Sequence, residues 1–235
     1  MSRARPVVAI DGPAGAGKST VTQRVAAALG YFVVDTGALY RTVALVAERA
    51  GVDFDDAERV GGLAEALVAR DAVKLEGDVR GSSRVVLDGE DVSGLIRTPS
   101  LSQGASKVSA QPRVRAALLD LQRGAGRSGG VVLEGRDIGT VVFPDAEAKV
   151  FLTASVDERA RRRCEQLKTA GVDSELEAVK REVMERDQRD STRPIAPLRK
   201  APDALVVDSS VLSIDQVVAR IVAHVQAVAA KLGPP

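Results

Sequence analysis

Histidine and cysteine are almost missing from this chain, and asparagine is missing altogether. With Cys164 as the single cysteine there is no disulfide framework and no metal cluster built on thiolates. The single histidine, His224, lies among valines and alanines near the C-terminal end. It leaves a Ser–His or Cys–His nucleophile, or a multi-histidine metal site, without its parts. Without asparagine there is no N-K-x-D motif to read guanine, which excludes a guanine-nucleotide switch. Whatever chemistry occurs must run on Lys, Arg, Asp, Glu and hydroxyl groups.

Long apolar runs are also lacking. None approaches the roughly 18 residues needed to span a bilayer, and "VVAI" after "MSRARP" is too short for a signal-peptide core. A soluble, cytoplasmic protein with no membrane partner is expected. Net charge is +1, so no basic field is available to hold nucleic acid. The basic residues are 25 Arg against 8 Lys. Arginine grips phosphates and carboxylates bidentately, although most of this excess reads as coding composition.

What is present is a chain of 235 residues in which short apolar, β-branched runs recur between helical stretches. They are 7–10, 32–34, 131–133, 150–152 and 205–207, each apolar throughout rather than alternating, as strands covered on both faces are. Ser155 with Glu158, Ser174 with Glu177, and Ser213 with Gln216 have the spacing of capping boxes. Ile214, Val217, Val218, Ile221, Val222 and Val225 form a stripe at helical spacing. Alternating strands and helices predict an α/β fold with a five-stranded parallel sheet. Residues 61–105 break the pattern. Asp88-Gly89 separates two short strand-like runs there, predicting a small antiparallel insertion. The core is then expected at 1–60 and 106–225, with a C-terminal tail at 226–235.

"VVAIDGPAGAGKST" places G-x-x-x-x-G-K-S between a strand and a helix. In such a loop, glycines let backbone N–H groups turn toward phosphate oxygens, and the following helix adds its positive end. Residues Asp11, Gly12, Pro13, Ala14, Gly15, Ala16, Gly17, Lys18, Ser19 and Thr20 are the candidate ATP-phosphate site. Lys18 would reach the β and γ phosphates, and Ser19 would ligate Mg²⁺. Asp91-Val-Ser-Gly94 matches D-x-x-G but falls in the insertion and reads as a turn.

Further clusters sit where a parallel sheet binds ligands, beyond the strand C-terminal ends. "VDTGALYR" brings Asp35, Thr36 and Arg41, and "EGRDIGTVVFPDA" brings Arg136 and Asp137. "ERDQRDSTR" sets Arg186, Arg189 and Arg193 at helical offsets with Asp187 and Asp190 between them. From the residues alone, Arg113 and Arg115 are equal candidates.

These segments, with "LDGEDVSGLIRT" and "ASKVSAQPRVR", resemble the bacterial cytidylate kinases, motif by motif from about residue 6 to about 225. The resemblance implies a P-loop NTPase fold whose inserted segment binds the nucleoside monophosphate, and a helical lid at about 158–195. It implies a monomer that transfers the ATP γ-phosphate to CMP or dCMP with Mg²⁺. It also implies residue roles. Arg41, Arg136 and Arg193 would grip the acceptor phosphate with Thr36 near it, and Ser106, Arg115 and Asp137 would read cytosine. Arg186 and Asp190 would contact the ribose, Arg189 the transferring phosphate, and Arg159, Arg162 and Arg163 the donor through the lid. Asp137 would accept from the exocyclic amino group that uracil lacks, a difference of about 1–3 kcal/mol. Other readings of the P-loop are a uridylate- or shikimate-type kinase and a regulatory ATP-binding protein.

Overall fold

The computed structural model describes residues 3, 5–77, 83–169 and 171–232. The elements run β1 (Val7–Asp11), α1 (Lys18–Leu29), β2 (Phe32–Asp35), α2 (Thr36–Arg49), α3 (Ala57–Ala69), β3 (Val73–Gly77), β4 (Ser83–Leu87) and β5 (Glu90–Asp91). They continue with α4 (Pro99–Val108), α5 (Pro112–Gly126), β6 (Val131–Gly135), β7 (Ala148–Thr153), α6 (Val156–Thr169), α7 (Leu176–Thr192), β8 (Leu205–Asp208) and α8 (Ile214–Leu232). All five apolar runs form strands of one sheet, ordered β2-β6-β1-β7-β8 and parallel at every pairing.

The sheet is covered on both faces where it matters most. Alternate residues of β1 enter different cores. Val8 and Ile10 join Val21, Val25, Val217 and Ile221 from α1 and α8, while Val7 and Ala9 join Leu133, Ile138 and Phe143. The outer strands depart from the expectation of full burial. Phe32 on β2 and Val206 on β8 are each nearly half exposed, because each strand has a neighbour on one side only.

The insertion is a three-stranded antiparallel sheet, β3-β4-β5. Asp88 (φ 49°) and Gly89 (φ 85°) make the two-residue turn from β4 to β5, in the left-handed backbone that such a hairpin requires. Asp91 accepts the Ser93 N–H at 3.0 Å, so the D-x-x-G match is a local turn. Positions 61 and 105 fall inside α3 and α4. Leu39, Val43, Leu67, Val85, Leu87, Leu101, Val114 and Leu118 form one apolar cluster joining the insertion to helices on either side of it.

Of the three capping boxes, Ser213 with Gln216 is reciprocal. Ser155 accepts the Glu158 N–H, but the Glu158 carboxylate turns to Arg161 and Arg162. At α7 the cap position is Glu175, with no side-chain bond, so Ser174 does not cap. Residues 226–232 belong to α8, and 233–235 lie outside the described residues. No described helix is long and apolar enough to cross a membrane.

Candidate active site

The C-terminal ends of β1, β2 and β6 open onto one cleft of about 270 Å³. The chain leaves β1 through Gly12, which only glycine can occupy, and lines the cleft from Ala14 on. A Cβ on Gly12 would stand 1.9 Å from the Leu152 carbonyl oxygen. Lys18 opens α1, and its buried ammonium donates to the carbonyls of Gly12 (2.8 Å) and Pro13 (2.7 Å). Burial, with Arg136 and Arg186 nearby, holds Lys18 well below the ordinary lysine range. No side chain caps the start of α1, which leaves its N–H groups for an anion.

Ser19 lies one residue on. Its hydroxyl donates to Glu134 Oε2 at 3.0 Å. Glu134, the last residue but one of β6, lies directly opposite Asp35 of β2. Burial, with the neighbouring Asp35 charge, raises Glu134 to about 7 against the pull of Lys18 and Ser19. Hydroxyl and carboxylate oxygens are the hard donors that Mg²⁺ prefers. Asp35 was placed at this sheet edge from the sequence, but neither it nor Glu134 was given a role there. An acid at a strand end is visible there, but the register that puts it beside Ser19, 115 residues away, is not.

Cations crowd the middle of the cleft. Arg41 pairs with Asp35 (2.5 Å) and Arg136 with Asp190 (3.0 Å). The Nε atoms of Arg41 and Arg186 are buried with no hydrogen-bond partner among the described residues. Burial and the charges of Arg136, Arg41 and Arg163 lower Arg186 to about 10. Asp190 shows the opposite balance. Burial alone would raise it, but Arg136 and Arg186 together hold it below the usual carboxylate range. Such mutual repulsion among fixed cations is relieved by an incoming polyanion.

At the far end a second set is closed on itself. Asp137 accepts from Arg115 on one oxygen and from Arg193 (3.1 Å) on the other. Ser106 donates to Asp190 (3.2 Å) and accepts from Arg189 (3.0 Å). Arg113 lies outside this set, exposed and paired with Glu65, so the structure separates the two arginines that the sequence left equivalent. Arg193, expected at the acceptor phosphate, lines the cleft and donates to Asp137, Ser109 and the Ala196 carbonyl. Asp137, expected to accept from the exocyclic amino group of cytosine, already accepts from Arg115 and Arg193. Thr36 lines the cleft, but its hydroxyl is committed to the Glu134 carbonyl at 2.8 Å.

Residues 8–227 match the family model described as Cytidylate kinase. The chain belongs to the cytidylate kinase family. It is 50% identical to a cytidylate kinase of Pelotomaculum thermopropionicum over 222 residues, covering 94% of this chain and 96% of the relative. It is 51% identical over 214 residues to one from Syntrophotalea carbinolica, covering 91% and 89%. It also aligns over 98% of its length, at 48% identity, with 42% of a bifunctional pantoate ligase/cytidylate kinase of Synechococcus sp.. A solved structure of an uncharacterized protein from Eubacterium ventriosum shares the fold alone, with TM-score 0.52 at 12% identity over 95% of this chain and 99% of that one.

In this cytidylate kinase family member the arginines expected in a lid divide by what they touch. Arg159 is buried and ties three segments, reaching the Ala14 carbonyl (3.2 Å), the Ala154 carbonyl (2.9 Å) and Asp187 (2.6 Å). Arg162 donates to Glu158 (2.8 Å) and to the Ser209 carbonyl (2.7 Å), bracing α6 against the loop after β8. Arg163 makes no hydrogen bond or ion pair among the described residues and borders a smaller cavity with Arg186 and Arg189. Arg163→Ala is therefore expected to lower kcat about tenfold or more with little change in Tm. Arg162→Ala is expected to lower Tm, because it leaves the Ser209 carbonyl without its side-chain donor and Glu158 with Arg161 alone. Steady-state kinetics and thermal unfolding of the two variants check this division. An open groove of about 640 Å³ continues outward from the phosphate loop between α6 and the start of α8.

Proposed function

We propose that this member of the family transfers the ATP γ-phosphate to CMP or dCMP, giving ADP and CDP or dCDP. One observation carries the reading. A single cleft joins the phosphate loop to a cluster of arginines with unspent donors, and beyond that to a buried Asp137 set between two arginines.

The residues take these roles. Residues 12–20, Lys18 among them, cradle the donor phosphates, and the outer groove takes the adenosine. Arg41 and Arg136 hold the acceptor phosphate, and Arg186 with Asp190 spans the step from phosphate to ribose. Ser106, Arg115, Asp137 and Arg193 form the base pocket, which moves Arg193 from the phosphate to the base. Arg163 and Arg189 reach the transferring phosphate from the lid made by α6 and α7. The segment from α3 to α4 carries the acceptor side. Ser19, with Glu134 and Asp35 behind it, would hold Mg²⁺, which supplies charge neutralisation on the donor phosphates.

The physics of the step requires no general base. The acceptor phosphate has a second pKa of about 6, so at neutral pH it is already a nucleophilic dianion. What the protein must provide is alignment of two polyanions and fixed positive charge around the phosphoryl group as it moves. Arg41 and Arg136 rest on Asp35 and Asp190 and exchange those partners for phosphate oxygens, so the cations are held in place before substrate arrives. Lid closure then removes water and strengthens each of these interactions.

Coupled measurement of ADP release with CMP, dCMP, UMP and AMP tests the assignment. CMP or dCMP is expected to turn over best. Equal or better turnover of AMP would overturn the substrate assignment, and ATP binding without acceptor-dependent ADP would overturn the kinase.

A further inference from the structure

Asp11 ends β1 and is buried, with both carboxylate oxygens taken. The Ile138 N–H donates to one and the Gly139 N–H to the other, each at 2.8 Å. These N–H groups open the wide helical turn Ile138–Val142, and the residue capping that turn is Asp137. The N–H groups of Val141 (2.9 Å) and Val142 (3.2 Å) close the turn on the Asp137 carbonyl. Asp137 gives the turn no side-chain cap, because its carboxylate is occupied by Arg115 and Arg193. Asp11 therefore supplies, from a neighbouring strand, the acceptors that a local capping residue would provide. Two acceptor oxygens are needed, which a carboxylate offers and an amide does not.

The arrangement is tight. A Cβ on Gly139 would stand 3.2 Å from the Lys149 side chain and 3.5 Å from Asp11 Oδ2. On its other side Asp11 leads into Gly12, whose carbonyl accepts from Lys18. Asp11 is not among the residues lining the cleft. Its side chain thus joins the start of the donor loop to the turn that carries Asp137, and it lies outside the cleft lining.

We propose that Asp11 is a positioning residue for base recognition. It aims Asp137 by holding the turn behind it, so the choice of pyrimidine depends on a residue buried beneath the phosphate loop. The inference rests on the cytidylate kinase reading above.

Asp11→Asn tests it, because the amide keeps the shape but loses one acceptor and turns an N–H toward a main-chain N–H. KM for CMP is expected to rise about 10- to 100-fold, the scale of a small misplacement of a reacting partner. KM for ATP is expected to stay within about twofold, and the CMP-over-UMP ratio of kcat/KM to fall about tenfold or more. Parallel rises in both KM values, or an unchanged CMP-over-UMP ratio, would overturn the proposal and leave Asp11 a brace of the loop. A wild-type enzyme without CMP preference would instead overturn the activity reading. Amide hydrogen exchange in the wild type gives a second measurement should Asp11→Asn fail to fold. CMP alone is expected to slow exchange at Ile138 and Gly139, and unchanged exchange there would contradict the proposal.

Discussion

Replacing Lys18 with alanine is expected to lower kcat by about 10²- to 10³-fold with every acceptor, the cost of removing one preorganised charge from a transition state. The placement of the ammonium sets this expectation. It is buried at the start of α1, held by two carbonyls of its own loop, and surrounded by other cations. Burial and those cations make the charge costly in the free protein. It becomes favourable when donor phosphates bring negative charge within reach. The loss should therefore fall on turnover more than on fold. Thermal unfolding should show Lys18→Ala at least as stable as the parent, since the variant removes a poorly solvated cation. A large drop in Tm, or turnover within about threefold of wild type, would contradict the role.

The second large effect is at Asp137. Truncation to alanine would strand two buried guanidinium groups, a change worth about 3–5 kcal/mol, and would confuse instability with recognition. Asp137→Asn keeps the shape. Its oxygen still accepts from one arginine, but its amide group now donates. Cytosine offers a donor at the position where uracil offers a carbonyl, so the substitution reverses the match. The kcat/KM for CMP is expected to fall about 10- to 100-fold, as for loss of a hydrogen bond to a charged group. UMP should lose less and so gain relative to CMP. Equal losses for the two would remove Asp137 from base reading.

How far these residues were visible beforehand depends on the range of the interaction that fixes them. The five strands were legible because burial on both faces writes an apolar run at each, and the phosphate loop because its glycines, lysine and hydroxyl are contiguous. The Asp88-Gly89 turn was legible for the same local reason. What the sequence hides is register and long-range pairing. Ser174 has the spacing of a cap, yet α7 starts after it. Glu134 meets Ser19, and Arg193 meets Asp137, only because parallel strands and a returning helix bring distant segments to one edge. Arg162 and Arg163 are neighbours in a run of arginines. Helix rotation alone turns one toward Glu158 and Ser209 and the other toward the smaller cavity beside Arg186 and Arg189. Asp11 was assigned to the donor loop by its position in the motif, whereas its carboxylate serves the turn beside Asp137.

The most direct test of the account is a crystal structure with CMP bound. Its phosphate is expected within hydrogen-bond distance of Arg41 and Arg136, facing Lys18, with the exocyclic amino group on Asp137 and Arg193 beside the base. CMP seated away from Arg41 and Arg136, or with its base turned from Asp137, would contradict it.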